Sequence, residues 1–151
     1  MRDEALMPLT HDHHHALAAA RRLGLAAKGD VDERTARAGD FISFFRTETL
    51  QHFREEEETV FPLVVEAPEA EAALRQVMLE HLRIHALVAA LRRELDAGHP
   101  SRATMETLGE LLQAHVRFEE KVVFPLIEST VDPGELHGLG LADRDRGGQT
   151  T

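Results

Sequence analysis

Apolar side chains recur every three or four residues in four successive stretches of the chain, the spacing that lines one face of an α-helix. The first stretch carries Leu6, Leu9, Ala16, Leu17, Ala20 and Leu23, with Pro8 and Thr10 placed to start a helix and Gly29 to end it after about Ala27. The second opens at Asp30, a capping residue type, and runs to about Phe61, with Phe41, Phe45 and Leu63 inward and a soft point at Gly39. The third lies between Pro68 and Gly98, striped by Leu74, Val77, Met78, Ile84, Val88, Leu91 and Leu95. Ser101 can cap the fourth, whose inward positions include Thr104, Leu108, Leu111, Leu112, Val122 and Leu126. Short connections between helices of about 18 to 30 residues force neighbours antiparallel. The pattern predicts an all-α fold, an antiparallel up-down-up-down four-helix bundle over residues 1–130. From Val131 the chain is rich in Gly and Asp without periodicity, so residues 131–151 are expected to form a partly disordered C-terminal tail, least ordered over the last ten.

Polar residues interrupt each stripe near its middle. His13 falls on the apolar face of the first helix, while His11, His14 and His15 point away and are expected to form a solvent-facing cluster. The second helix turns Glu48, Thr49, His52 and Glu56 inward, the other members of the run Glu55 to Glu58 forming a solvated face. His81 and His85 lie one turn apart on the third stripe, and His115 and Glu119 on the fourth. Two of these pairs belong to a repeat. The stretch from His52 to Leu63 matches the stretch from His115 to Leu126 at eight of twelve positions, and each copy has Glu four residues after His. Pro62 and Pro125, ten residues after each histidine, are expected to kink or end their helices.

Composition narrows the chemistry. With no cysteine, disulfides, thiolate zinc sites and Cys-ligated clusters are excluded. A formal charge of −10 with no basic stripe argues against nucleic acid as a partner. No apolar run approaches the ~20 residues that cross a bilayer, and the N-terminus does not read as a signal peptide, so a cytoplasmic location is expected.

One His on an apolar face is commonly a hydrogen-bonded core residue. Five histidines and two carboxylates converging on one bundle core are not so easily accommodated, because buried carboxylates without partners cost several kcal/mol. Seven nitrogen and oxygen donors exceed one tetrahedral zinc and are too nitrogen-rich for calcium or magnesium. Two octahedral ions offer twelve positions. Five imidazoles, two bridging carboxylates and one shared oxo or hydroxo bridge fill eleven, leaving one open. The donors expected are His13, His52, Glu56, His81, His85, His115 and Glu119, around two iron ions in an oxo- or hydroxo-bridged di-iron centre. Glu-x-x-His ligation with four carboxylates, as in ferritin-like bundles, does not match the order or spacing here.

This pattern resembles the hemerythrin-like, or HHE cation-binding, family from the first helix through the fourth. Asp12-His13, His52 with Glu56, His81 with His85, and His115 with Glu119 correspond to its ligand motifs, and the Phe-Pro after each acidic run also fits. The resemblance implies that His81, His85 and His115 hold one iron. His13 and His52 would hold the other, which keeps the open position, with Glu56 and Glu119 bridging. The fourth helix departs from invertebrate oxygen carriers, which place Asp five residues after His; Glu at four resembles the bacterial branch. The implied function is binding of O₂, or a related diatomic such as NO, in oxygen, redox or iron sensing or handling. Enzymatic turnover of peroxide or NO, iron oxidation, and metal storage without gas chemistry are the alternatives. Turnover would need a proton donor beside the open position, for which Glu48 and Thr49 are the candidates.

Overall fold

The computed structural model describes residues 1–141, and the four predicted stretches are its four helical rods. A 3₁₀ turn at Glu4–Leu6 leads into α1, Met7–Ala26. The second rod is composite: α2 (Val31–Phe44), a π-turn (Phe45–Thr49), α3 (Leu50–Glu55), a second π-turn (Glu56–Val60) and a 3₁₀ end at Phe61–Val64. The third is α4, Glu71–Asp96. The fourth joins α5 (Arg102–Phe118), a π-turn (Glu119–Val123) and α6 (Phe124–Thr130), and a short α7 follows at Pro133–His137. No strand occurs among the described residues. The rods form the expected four-helix bundle, α1 and α4 each packing between the second and fourth rods.

Most ends follow the expected signals. Asp30 accepts the Glu33 N–H at 2.9 Å and Ser101 the Thr104 N–H at 3.1 Å, as side-chain caps do. Gly98 terminates α4 at φ +80°, a conformation that L side chains rarely adopt. Thr10 is no cap: the chain enters α1 one turn earlier, where Asp3 accepts the Ala5 N–H, and the buried Thr10 hydroxyl donates to Glu120. Pro62 ends its α-helical path in a 3₁₀ turn, whereas Pro125 sits in the first turn of α6. In both copies the residue before the proline bonds five residues back, Phe61 N–H to the Glu56 carbonyl and Phe124 N–H to that of Glu119. The widened turn makes room for a ring that would otherwise strike the carbonyl four residues earlier.

These π-turns change which residues face inward. A regular 3.6-residue period predicts Glu48, Leu63, Val122 and Leu126 on the inner face. Each π-turn holds one residue more, so the inner face continues instead through Thr49, through Val60 and Val64, and through Val123 and Ile127, all buried. Glu48 is exposed, Val122 is 44% exposed, and Leu63 and Leu126 are only partly buried. Beyond the bundle, Val131, Leu136 and Leu141 are buried in the apolar cluster at that end, so the first half of the expected tail packs on the domain. The last ten residues lie outside the described ones.

The core is divided. One apolar cluster contains Leu23, Phe41, Phe45, Ile84, Leu91, Leu108 and Leu112; another contains Leu6, Leu9, Val60, Val77, Phe124 and Ile127. Between them lies a buried polar layer of His13, His52, Glu56, His81, His115 and Glu119.

Gly109 marks a close approach of α5 to α1, since a Cβ there would stand 2.9 Å from the Ala20 carbonyl oxygen. Gly109→Val is expected to lower unfolding stability by about 1–3 kcal/mol. Gly39→Ala meets nothing within 4 Å and is expected to raise it by about 0.5–1 kcal/mol. Urea titration of both variants checks the pair.

Candidate metal centre

The polar layer brings together six of the seven expected donors. Glu56 and Glu119 are fully buried at its centre, each at the start of a π-turn. Each turns its two oxygens to different histidine pairs. On one side Glu119 Oε2 is 3.0 Å from His13 Nε2, and Glu56 Oε2 is 3.3 Å from His52 Nε2. On the other, His81 Nε2 is 3.4 Å from Glu56 Oε1 and 3.5 Å from Glu119 Oε1, with His115 Nε2 2.5 Å from Glu119 Oε1. The result is two groups of four donors sharing two carboxylates: His13, His52, Glu56 and Glu119, and Glu56, His81, His115 and Glu119.

The outward ring nitrogens meet a second set of carboxylates. His13 Nδ1 is 2.7 Å from Glu120, His52 Nδ1 2.9 Å from Asp12, and His115 Nδ1 2.9 Å from Glu80. Glu57 stands 3.6 Å from His81 Nδ1. A carboxylate at Nδ1 holds that nitrogen as the N–H donor and leaves the Nε2 lone pair facing the layer, the arrangement that supports metal-ligating histidines. Gln76 in turn donates to Glu80, and the Thr10 hydroxyl to Glu120. Rings fix the imidazole planes: Phe53 stacks on His81 at 3.8 Å and Phe124 on His13 at 5.2 Å.

The layer has an internal twofold pattern. Asp12-His13 pairs with His52, Glu56 and Glu57 in one half; Glu80-His81 pairs with His115, Glu119 and Glu120 in the other. In each half the acid before the first histidine holds the second. The acid after the shared glutamate faces the first histidine of the opposite half, Glu120 hydrogen-bonding His13 and Glu57 standing near His81 at 3.6 Å.

His85 stands outside both groups. It is exposed, its ring edge-on to Phe45 and Phe53 at 5.5 and 5.8 Å. The buried face of α4 runs through Val77, Glu80, His81, Ile84, Val88 and Leu91. At about 100° per residue Glu80 lies nearer the middle of that face than His85 does. The sequence reading missed Glu80 and Glu120. The signals for them were present, in the likeness of Glu80-His81 to Asp12-His13 and in the Glu-Glu pair common to both copies of the repeat. Of the two further candidates, Thr49 is buried, and the half-exposed Glu48 lies 3.4 Å from His15 at the surface.

The donor set fits a cation. Both oxygens of Glu56, Oε1 of Glu119, both nitrogens of His81 and Nε2 of His115 are buried with no aligned hydrogen-bond partner among the described residues. Such groups are costly unless something positive joins them. Without metal, protons fill that role. Burial disfavours a charged His115, but the Glu119 charge and the hydrogen bonds of Glu119 and Glu80 outweigh it and raise its pKa to about 10. His13 and His81 shift upward, burial again being outweighed by hydrogen bonds to Glu119 with Glu120 and to Glu119 with Glu56 respectively. Glu56 is pushed up by burial and by the Glu119 charge, whereas Glu119, despite burial, is held low by His115.

A group raised on folding contributes stability that is complete below its unfolded pKa and disappears above its folded one. For His115 that window runs from 6.5 to about 10. The metal-free protein is therefore expected to lose thermal stability as pH rises from 7 to 10. Loading a divalent metal at pH 7 should release protons. Melting curves across pH, and calorimetric titration in buffers of different ionisation enthalpy, check the two expectations.

No curated protein matches the chain and no solved structure does so. The model of the hemerythrin HHE cation-binding domain matches residues 5–127, spanning all four rods and every residue of the polar layer. The chain belongs to the hemerythrin HHE cation-binding family.

Proposed function

We propose that the layer holds two iron ions and that the one between His13 and His52 binds O₂ or NO. The observation carrying this reading is the division of the Glu56 and Glu119 oxygens between two histidine pairs, which offers two neighbouring cations four protein donors each. His13, His52, Glu56, His81, His115 and Glu119 are the ligands in this proposal. His85 packs on Phe45 and Phe53 instead. Iron favours imidazole and carboxylate together and accepts six donors, so positions remain for a bridging oxygen and an exogenous ligand. The ions would supply electrons to that ligand; the chain holds the imidazoles, excludes water and sets where the ligand enters.

A cavity of about 20 Å³ supports entry of the ligand beside His13 and His52. It is lined by His13, His52 and His115 with Ala16, Phe44, Thr49, Phe53, Leu112 and Val116, and Asp12 and the exposed Glu48 also border it. The twofold counterparts of Val116 and Ala16 are Phe53 and Ile84, and Phe53 fills its half by stacking on His81. Smaller side chains thus leave space beside His13 where the other half is packed. By this measure a water needs about 10–15 Å³, so the cavity suits a ligand of one or two atoms. Its mostly apolar wall slows entry of water to the site.

A zinc-holding bundle without gas chemistry is the second reading, favoured by the four donors per group, the number tetrahedral zinc takes. Metal analysis with absorption spectra before and after anaerobic reduction and exposure to air separates the two. About two irons per chain, with charge-transfer bands that bleach and return, is the expected result; zinc without visible bands would establish the second reading. His81→Ala should lose at least half of the bound metal and His85→Ala should retain it. Loss of metal from His85→Ala would make His85 a ligand.

A further inference from the structure

The cavity contains one polar side chain that nothing in the fold explains. Thr49 is 5% exposed, and its Oγ1 is buried with no hydrogen-bond partner among the described residues. Threonines in helices ordinarily satisfy their hydroxyl on a carbonyl three or four residues back. Thr47, two positions earlier, does so with the Ser43 carbonyl at 3.0 Å. Thr49 does not. It closes the π-turn Phe45–Thr49, in which the Phe45 carbonyl accepts from the Leu50 N–H. The wider turn buries Thr49 rather than Glu48, one turn before His52 and lining the same cavity as His13 and His52, which the exposed Glu48 also borders. Its twofold counterpart is Leu112, which has no polar group to offer.

We infer that the Thr49 hydroxyl is a hydrogen-bond donor to the small ligand in this cavity. It is a positioning and selectivity residue, and the inference rests on the ligand-binding reading above. A hydroxyl left unsatisfied by the fold, on a residue that lines a ligand-sized cavity, is satisfied when an acceptor arrives. It donates without giving up its proton, so it holds the ligand rather than driving turnover. Ligands whose outer atom accepts a hydrogen bond, as O₂ and NO do, are thereby favoured over carbon monoxide, a poor acceptor.

The test uses the iron-loaded ferrous protein with nitric oxide added anaerobically, comparing wild type, Thr49→Val and Thr49→Ser. The infrared N–O stretching band should shift between H₂O and D₂O in wild type and Thr49→Ser, and lose that shift in Thr49→Val. Nitric oxide should also leave Thr49→Val about tenfold faster. Equal isotope shifts and equal dissociation rates in wild type and Thr49→Val would overturn the inference and leave the binding reading standing. A wild-type protein that holds iron but binds no nitric oxide would overturn both. Melting of the metal-free proteins gives an independent measure. Thr49→Val should be at least as stable as wild type, since it removes an unsatisfied polar group; a clear loss of stability would show the hydroxyl to be a contact of the fold, overturning the inference.

Discussion

Burying six ionisable side chains in one layer is the constraint on which the rest of this bundle depends. Glu56 and Glu119 lose all contact with solvent and His13, His81 and His115 nearly all, at an electrostatic cost that apolar packing cannot offset alone. Opposite charge must come from within the layer or be brought to it. The outer carboxylates Asp12, Glu57, Glu80 and Glu120 make the demand stronger. Asp12, Glu80 and Glu120 hold the Nδ1 atoms of His52, His115 and His13, and all four add negative charge, so the centre attracts protons and metal cations alike. The upward shifts of His13, His81 and His115 are the metal-free expression of that attraction.

Twofold repetition explains how so many groups converge. An acid-His dipeptide on α1 and α4 and a His-x-x-x-Glu-Glu on the second and fourth rods, used twice, build both halves. Each half completes the other, since the shared glutamates and outer acids reach across. Where the halves differ, chemistry can differ. Phe53 against Val116, Ile84 against Ala16 and Leu112 against Thr49 go with a cavity and a hydroxyl beside His13 and His52. Symmetry provides the metal layer, and departures from it give that layer a direction.

The helices, their order and the inward placing of six mid-bundle histidines and glutamates were legible in the sequence because a 3.6-residue period and capping residues are local signals. The repeat around His52 and His115 was legible for the same reason. Register beyond each shared glutamate was not. A π-turn is stabilised by what its residues do in the folded core, and no residue type announces it, so Val122 and Leu63 read as inward and Val123 and Val64 did not. The reading of α4 was misled differently: His85 is a familiar donor at a familiar spacing, yet the buried face turns Glu80 inward instead. Carboxylates such as Glu80 and Glu120 resemble solvated surface residues until the histidine that binds them is located.

The divided core has a mechanical consequence. Among the described residues the buried apolar side chains fall into two clusters, with the layer of histidines and glutamates between them. Cooperative unfolding requires that disorder at one place be felt at the next. Here that transmission passes through groups whose mutual attraction depends on the protons or cation they hold. A cation held in the layer would therefore also be the rivet that makes two small hydrophobic units unfold as one.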